Sequence, residues 1–205
     1  MQKIFISHAQ KDSEIVEGKK EQDYGFSGVS HQKFRPIRSK PIFRNNPKEI
    51  SEKEVQEMTI KNDFFDKNRN KKGRGFDNQF EILDIKEDKL IFDYSTGLMW
   101  QQQGSLESMS FEQANRWIEE LNRIRYANYC DWRLPTLEEA MSLLKRERKN
   151  GKLFNDNIFS QKQSGIWTSD VTENRILAWV VFFNYGSCYV NCFDLENYIR
   201  AVRSA

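Results

Sequence analysis

The sequence predicts an α+β domain built on antiparallel strands and preceded by an N-terminal extension. Three observations carry that prediction. All five tryptophans, Trp100, Trp117, Trp132, Trp167 and Trp179, fall in the C-terminal part of the chain. Short apolar runs separated by turn-forming residues fill the sequence from Phe80 onward, and two stretches among them carry helix start signals. A buried Trp removes roughly 150–250 Å² from water, worth about 4–6 kcal/mol at about 25 cal/mol per Å². The tryptophan-bearing stretch can therefore hold a packed core.

Composition narrows the functional classes. A chain of 205 residues, 38% hydrophobic, suits one domain with an appendage. The net charge of +2 divides unevenly: residues 1–80 carry 17 Lys or Arg against 12 acids, and residues 81–205 carry 15 against 18. Neither half is charged enough to suggest nucleic acid as a partner. No apolar run approaches the roughly 18–20 residues that span a bilayer, so membrane insertion is not expected. The N-terminus lacks the basic-then-apolar profile of a signal peptide, and a cytoplasmic location is expected. Cys130, Cys188 and Cys192 are three in number, which argues against a disulfide framework. With only His8 and His31 beside them, no metal site and no cofactor are expected.

The elements follow in order. Lys3 to Ser7 reads as a short strand, followed by a polar turn and an amphipathic helix start reaching Val16. Residues 17–48 are polar and turn-rich, and Lys33 to Lys48 holds six basic residues, no acid, and Pro36, Pro41 and Pro47. Such a stretch buries little and reads as an extended linker, so residues 1–48 form the extension. Ser51 with Glu54 makes a capping box, and Val55, Met58 and Ile60 supply an apolar face, which predicts a helix over 52–62 in a helical leader, 49–77. Asp66 to Asn70 has the spacing of a calcium loop, but Lys71 stands where the glycine is required and the closing Glu is missing. Phe80–Ile85 and Leu90–Phe92 flank a polar turn at Glu87-Asp88 and predict a hairpin. Asp93 to Gly97 turns the chain into Leu98-Met99-Trp100.

Ser110 with Gln113 opens a helix carrying Phe111, Ala114, Trp117, Ile118 and Leu121 on one face. Thr136 with Glu139 opens another, carrying Leu137, Ala140, Met141 and Leu144. Gly165–Thr168, Leu177–Phe183, Ser187–Phe193 and Tyr198–Val202 are strand-like and complete the sheet. Gly97 and Gly186 supply turn or bulge geometry. Trp100, Trp132, Trp167 and Trp179 are expected as core or sheet anchors. Asp131 and Arg133 flank Trp132, and a fold-fixing ion pair or backbone hydrogen bonds are expected of them.

Two resemblances bear on function. Lys3-Ile4-Phe5-Ile6-Ser7-His8 with Lys11-Asp12 resembles the opening strand and loop of TIR domains; the pattern stops after Val16, which leaves a truncated remnant or a chance match. Far more of the chain takes part in the second. Asp93-Tyr-Ser-Thr-Gly97-Leu-Met-Trp100, the helix from Ser110, Asp131-Trp132-Arg133-Leu134-Pro135-Thr136, Ile166-Trp167-Thr168, Ala178-Trp179 and Arg200-Ala-Val-Arg203 occur in order. Over about residues 78–205 the chain resembles the Lcl C-terminal-domain family, a bacterial C-type-lectin-like domain. The segment from Arg35 to Phe65 also resembles a leader that precedes such domains. The family resemblance implies a C-type-lectin-like fold, two helices flanking a central antiparallel sheet, with a ligand surface on the last strands and loops. It also implies kinship with variable proteins of diversity-generating retroelements, in which adenine-directed mutation of Asn codons yields Tyr, Ser, Asp, Cys, Phe, Val, Ile and Leu.

Phe182 to Ile199 fits that set, with no Lys, Arg, Gln or Met, and the chain has no lysine after Lys162. Glu196 lies outside what adenine changes in an Asn codon can give. The expected binding positions are Phe182, Asn184, Ser187, Tyr189, Val190, Asn191, Cys192, Asp194, Leu195 and Asn197, held by a scaffold of Trp100, Trp132, Arg133, Trp167 and Trp179. Tyr, Asn and Ser around aromatic anchors also suit adaptable binding surfaces. A half-buried antiparallel strand produces similar alternation by itself, with Val181, Phe183 and Tyr185 on one side and Val180, Phe182 and Asn184 on the other.

The expected function is non-catalytic binding of a protein or other macromolecular ligand by a variable surface. A calcium-independent carbohydrate-binding or polysaccharide-binding lectin is the alternative, because the Glu-Pro-Asn, Gln-Pro-Asp and Trp-Asn-Asp signatures of calcium-dependent sugar binding are absent from the sequence. A third reading is an enzyme like the formylglycine-generating oxidases, whose copper-supported cysteine pair only Cys188 and Cys192 could supply.

Overall fold

Three helices each open on a capping box at the residues that the sequence spacing singles out. In the computed structural model, which describes residues 43–85, 88–148 and 151–205, these are α1 (Glu52–Lys61), α2 (Phe111–Arg123) and α3 (Leu137–Met141). In each, the capping hydroxyl of Ser51, Ser110 or Thr136 accepts from a backbone N–H three residues on. The side chain of Glu54, Gln113 or Glu139 returns the bond. Two of the four orphan donors at each helix start are thereby satisfied. The strand, the TIR-like string and the linker up to residue 42 lie outside the described residues.

Among the described residues the strands form two antiparallel sheets, where the sequence suggested one. The first runs β1 (Phe80–Ile85), β2 (Asp88–Asp93), β3 (Leu98–Gln101) and β7 (Val202–Ser204), hydrogen-bonded in the order β1-β2-β3-β7. The second runs β4 (Gly165–Val171), β5 (Leu177–Phe182) and β6 (Ser187–Cys192), in the order β4-β5-β6. Ile85 pairs with Asp88, so Asp88 opens β2 rather than occupying the turn. Gly97 and Gly186 adopt φ of 74° and 71° at the β2–β3 and β5–β6 turns, where a side chain would be strained.

Two hydrophobic clusters fill the interior. Trp100 and Trp179 pack with Ile91, Val181, Phe183, Leu137 and Met141 in one; Trp132 and Trp167 pack with Leu90, Ala178, Val180, Ile118 and Leu121 in the other. Successive residues of β5 therefore serve opposite clusters. That double burial explains why β5 reads as an unbroken apolar run, where an antiparallel strand with one wet face would alternate. The half-buried alternation expected around Val180 and Val181 does not hold there, since both are fully buried.

α1 joins the first cluster through Val55 and Met58, and Phe43 packs on Phe64 and Phe76 at ring-centroid distances of 5.7 and 5.3 Å. The end of the basic stretch is docked as well. Arg44 forks onto the buried Asp170 carboxylate, donating through Nη1 at 2.7 Å and again through Nη2. Asp170 also accepts from the Leu137 and Lys48 backbone N–H groups. A buried carboxylate needs such partners to remain ionised at small cost.

Two expectations fail here. α3 ends at Met141, and Leu143 and Leu144 enter the core from turn geometry instead. The strand expected over Tyr198–Val202 starts only at Val202. Upstream, the backbone is shared among several partners: Asn197 bridges Met109, Tyr198 bridges Ile166, and Ser105 and Gln101 donate to the carbonyls of Ile199 and Ala201. No single neighbouring strand runs beside these residues to form a ladder.

Candidate functional site

The outer strand of the second sheet, β6, and the turn that feeds it carry the exposed aromatic residues. Phe182 and Ser187 are opposite each other, and the Gly186 N–H closes the turn on the Phe182 carbonyl at 2.8 Å. Gly165 faces Phe182 across β4–β5, and a Cβ there would lie 2.6 Å from the ring. The bare glycine thus lets the ring lie across the strand. Phe182, Tyr185 and Tyr189 form one cluster, with ring centroids 5.5, 6.1 and 6.2 Å apart. Tyr185 is 56% exposed and Tyr189 is 40% exposed, so the cluster opens to solvent. The Asn68 carboxamide donates to the Tyr189 hydroxyl at 2.6 Å and to the Ser187 hydroxyl at 3.2 Å, which fixes the rim of the cluster.

Asp66 holds this assembly from beneath. Its fully buried carboxylate accepts from the backbone N–H groups of Asn68 and Arg69, both at 2.8 Å, and from the Ser187 hydroxyl at 2.8 Å. The Cys188 N–H donates to its second oxygen at 3.1 Å, and Arg69 Nη1 also donates there, at 3.3 Å. Arg69 continues outward. It donates to the Cys188 carbonyl at 2.8 Å, pairs with both Glu52 oxygens and lies 5.5 Å from the Trp179 ring centroid. Burial works against the Arg69 charge, but the Glu52 hydrogen bonds and the surrounding negative charge outweigh it and hold the group above its ordinary range. Burial pushes the Cys188 thiol upward, away from thiolate chemistry.

Asp66 acts as a structural anchor within Asp66–Asn70, a stretch whose sequence shows only the spacing of a calcium loop. The available signal was an aspartate whose side chain can accept from the N–H groups two and three residues on, the pattern of an Asx turn.

The ten expected binding positions do not form one patch. Phe182 and Tyr189 share the aromatic cluster, with half-buried Asn184 on the adjoining turn. Val190 and Asn191 are half-buried along β6, and Cys192 is exposed at its end. Asp194 and Leu195 are exposed on the turn that follows, at the far end of a strand that spans roughly 20 Å at about 3.4 Å per residue. Ser187 and Asn197 are corrected from the expected surface: both are buried, Ser187 against Asp66 and Asn197 bridged to Met109. Tyr185, which was not among the ten, is the most exposed member of the cluster.

Cys188 and Cys192 are four residues apart on an extended strand, roughly 13 Å, whereas a disulfide needs Cα atoms within about 7 Å. Cys188 is buried and Cys192 exposed. The two thiols do not form a reactive pair.

The scaffold residues sit in the core, apart from Arg133, which is partly buried. Three of the four core indoles donate to carbonyls: Trp132 to Tyr126 at 3.0 Å, Trp167 to Met109 at 2.8 Å and Trp179 to Ile50 at 3.2 Å. Arg133 pairs with Glu139 in a two-pronged bond, both contacts at 2.6 Å; of the two arrangements expected, the ion pair with Asp131 does not form, whereas backbone hydrogen bonds do, since Arg133 exchanges two with Val202 at 3.0 Å. Asp131 reaches Arg203 instead, at 2.7 Å. Residues two apart in extended chain project the same way but diverge, whereas the capping box of α3 brings Glu139 back to Arg133.

A groove of about 280 Å³ runs beside β6, lined by Trp179, Val190, Glu52, Thr172, Glu173 and Asn174 among others. Among the described residues, no group of three or more His, Cys, Asp or Glu side chains is placed to hold a metal ion. No helix among them is long and apolar enough to cross a membrane. The family model described as the Lcl C-terminal domain matches residues 89–203, from β2 into β7. No curated protein and no solved structure matches.

Proposed function

Because the chain belongs to the Lcl C-terminal domain family over residues 89–203, we propose that it is a non-catalytic binding protein that presents side chains of β6 and its flanking turns on a C-type-lectin-like scaffold. The observation that carries this reading is the solvent-open cluster of Phe182 at the end of β5, Tyr185 on the turn and Tyr189 on β6, held beside the buried β5 residues Ala178–Val181. Tyrosines held on a rigid frame give large contact area at low entropic cost. The separation of Cys188 from Cys192 supports binding over oxidase-like chemistry. We further propose that the exposed positions of the Phe182–Ile199 strip are diversified by a retroelement, with protein or another macromolecule as the ligand.

Two tests bear on the reading. The genome should hold, beside a reverse transcriptase, a near-copy of the stretch encoding residues 178–203 that differs at adenines. A complete genome without one sinks the diversification. At the protein level, Tyr189→Ser, Cys192→Ser and Leu195→Ser, all at exposed positions, should each shift the melting temperature by no more than about 2 °C. Unfolding of the domain by these changes would make the strip a structural element and remove the basis for a variable surface.

A further inference from the structure

The aromatic cluster has a charged frame that its own strand does not supply. Two loops bracket the β5–β6 turn on either side of Tyr185. From one, the Lys67 N–H donates to the Gly186 carbonyl at 2.8 Å. From the other, Arg148 Nη2 donates to the Asn184 carbonyl at 3.0 Å while its guanidinium lies 5.0 Å from the Phe154 ring centroid. The loops are tied to each other as well: Phe65 stacks on Phe154 at 5.7 Å, and Gly186 lies close against the Phe154 ring.

Both loops are rich in exposed cations. Lys71 and Lys72 follow Lys67 on the first, and Arg146 and Lys152 flank Arg148 on the second. The acids nearby are committed elsewhere: Asp66 is buried under Ser187, Glu52 is paired with Arg69 and Asp63 with Arg74. Glu147 is the one exposed carboxylate among the described residues of 66–72 and 146–152. The turn that presents Tyr185 thus sits in a local excess of positive charge that the net charge of +2 conceals.

We infer that the β5–β6 turn is the centre of a docking surface for an acidic protein segment, with Tyr185 and Tyr189 receiving an apolar or aromatic anchor and Lys67 and Arg148 pairing with carboxylates on either side. The inference rests on the binding reading above and names the chemistry of the partner. Aromatic residues at the centre with charges at the rim are the usual anatomy of a protein interface, where the centre supplies affinity and the rim supplies steering. A nucleic acid or other polyanion calls for a continuous basic stripe. Here the exposed cations lie on two loops that both contact the turn carrying the exposed Tyr185.

The test uses the full chain, immobilised and panned against a displayed library of random peptides. Enriched sequences should carry Asp or Glu on both sides of an apolar or aromatic residue. A synthetic copy of the best one should bind about tenfold more weakly to the Lys67→Glu/Arg148→Glu double variant and to Tyr185→Ser. Its binding should weaken as salt is raised and stay within about twofold for Lys61→Glu, a charge change on α1. All four residues are exposed, and thermal melts confirm that the variants fold.

Three results overturn the inference. Enriched peptides without acids that still depend on Tyr185 and Tyr189 leave the binding surface standing and refute the acidic partner. Enriched peptides indifferent to both tyrosines, or no enrichment, refute the surface along with it. Heparin that binds more tightly than any selected peptide, through Lys67 and Arg148 and without Tyr185, makes the site a polyanion surface instead.

Discussion

Replacing Asp66 by asparagine keeps the shape of the side chain and removes its charge. Five N–H or O–H donors converge on the carboxylate, the N–H groups of Asn68, Arg69 and Cys188, the Ser187 hydroxyl and the Arg69 guanidinium, with the weakly donating Cys188 thiol beside them at 3.7 Å. In one orientation the new amide nitrogen points at Cys188 N–H and Arg69, donor against donor; in the other it opposes the remaining three. At least two buried donors lose their acceptor in either case, at about 1–3 kcal/mol each. Arg69 also loses a buried counter-charge, and the total comes to about 3–5 kcal/mol, the usual range for breaking a buried ion pair from one side. For a domain of this size that lowers the melting temperature by roughly 6–20 °C. Ser187→Ala, which removes a single donor, should cost about 1 kcal/mol. Urea and thermal unfolding followed by circular dichroism give both numbers. A loss below about 1 kcal/mol for Asp66→Asn, or one no greater than that of Ser187→Ala, would refute the argument that Asp66 organises the site.

Other perturbations follow from the same packing. Trp100 has no acceptor for its indole N–H among the described residues, whereas Trp167 donates to Met109; Trp167→Phe should therefore cost about 1 kcal/mol more than Trp100→Phe in urea unfolding, and equal losses would contradict it. Gly165→Ala drives a methyl into the Phe182 ring and should destabilise by about 1–3 kcal/mol while displacing the aromatic cluster, seen as shifted Tyr185 and Tyr189 ring resonances. Burial, with the Asp88 charge beside it, pushes the Tyr126 phenol up to about 12. Its folded value lies above the unfolded value of about 10, so its contribution to stability is complete below about pH 10 and lost as pH rises toward about 12. Alkaline absorbance titration should show a late-ionising tyrosine that Tyr126→Phe removes.

Much of this fold was legible because its signals are local. Capping boxes at Ser51, Ser110 and Thr136 need only a hydroxyl and a carboxylate or amide three residues apart, and all three helices start where that spacing places them. Gly97 and Gly186 mark turns by their conformation alone. What escaped depends on partners distant in sequence. Division of the strands into two sheets is set by which faces the two clusters bury, and β5 serves both. Residues 198–201 have strand composition but hydrogen-bond to several separate segments. Arg133 chose Glu139 over its near neighbour Asp131 because the α3 cap had already turned that carboxylate inward. At the site, the expected strip contained the right strand but mixed exposed residues with Ser187 and Asn197, whose burial comes from Asp66 and Met109, far upstream. Trp100, Trp132, Trp167 and Trp179 lie in the core as expected, but the core also takes in Ile50, Val55, Met58 and Phe64 from the tryptophan-free half.

The clasp of Asp66 and Arg69 on Cys188 has a consequence for solubility. β6 is the outer strand of its sheet, and Ser187–Cys192 carries no charge and no proline. Such an edge is the kind on which strands of other molecules stack to form aggregates, and lysines or prolines commonly guard against it. Here the guard comes from elsewhere in the chain: the outward Cys188 peptide is occupied on both sides by Asp66 and Arg69, and the Cys192 carbonyl is taken by Leu195. The side chains at the two ends of β6 are thereby released from protecting their own edge, which leaves the stretch around Val190 as the part of the strand where a substitution toward a more apolar residue should raise aggregation.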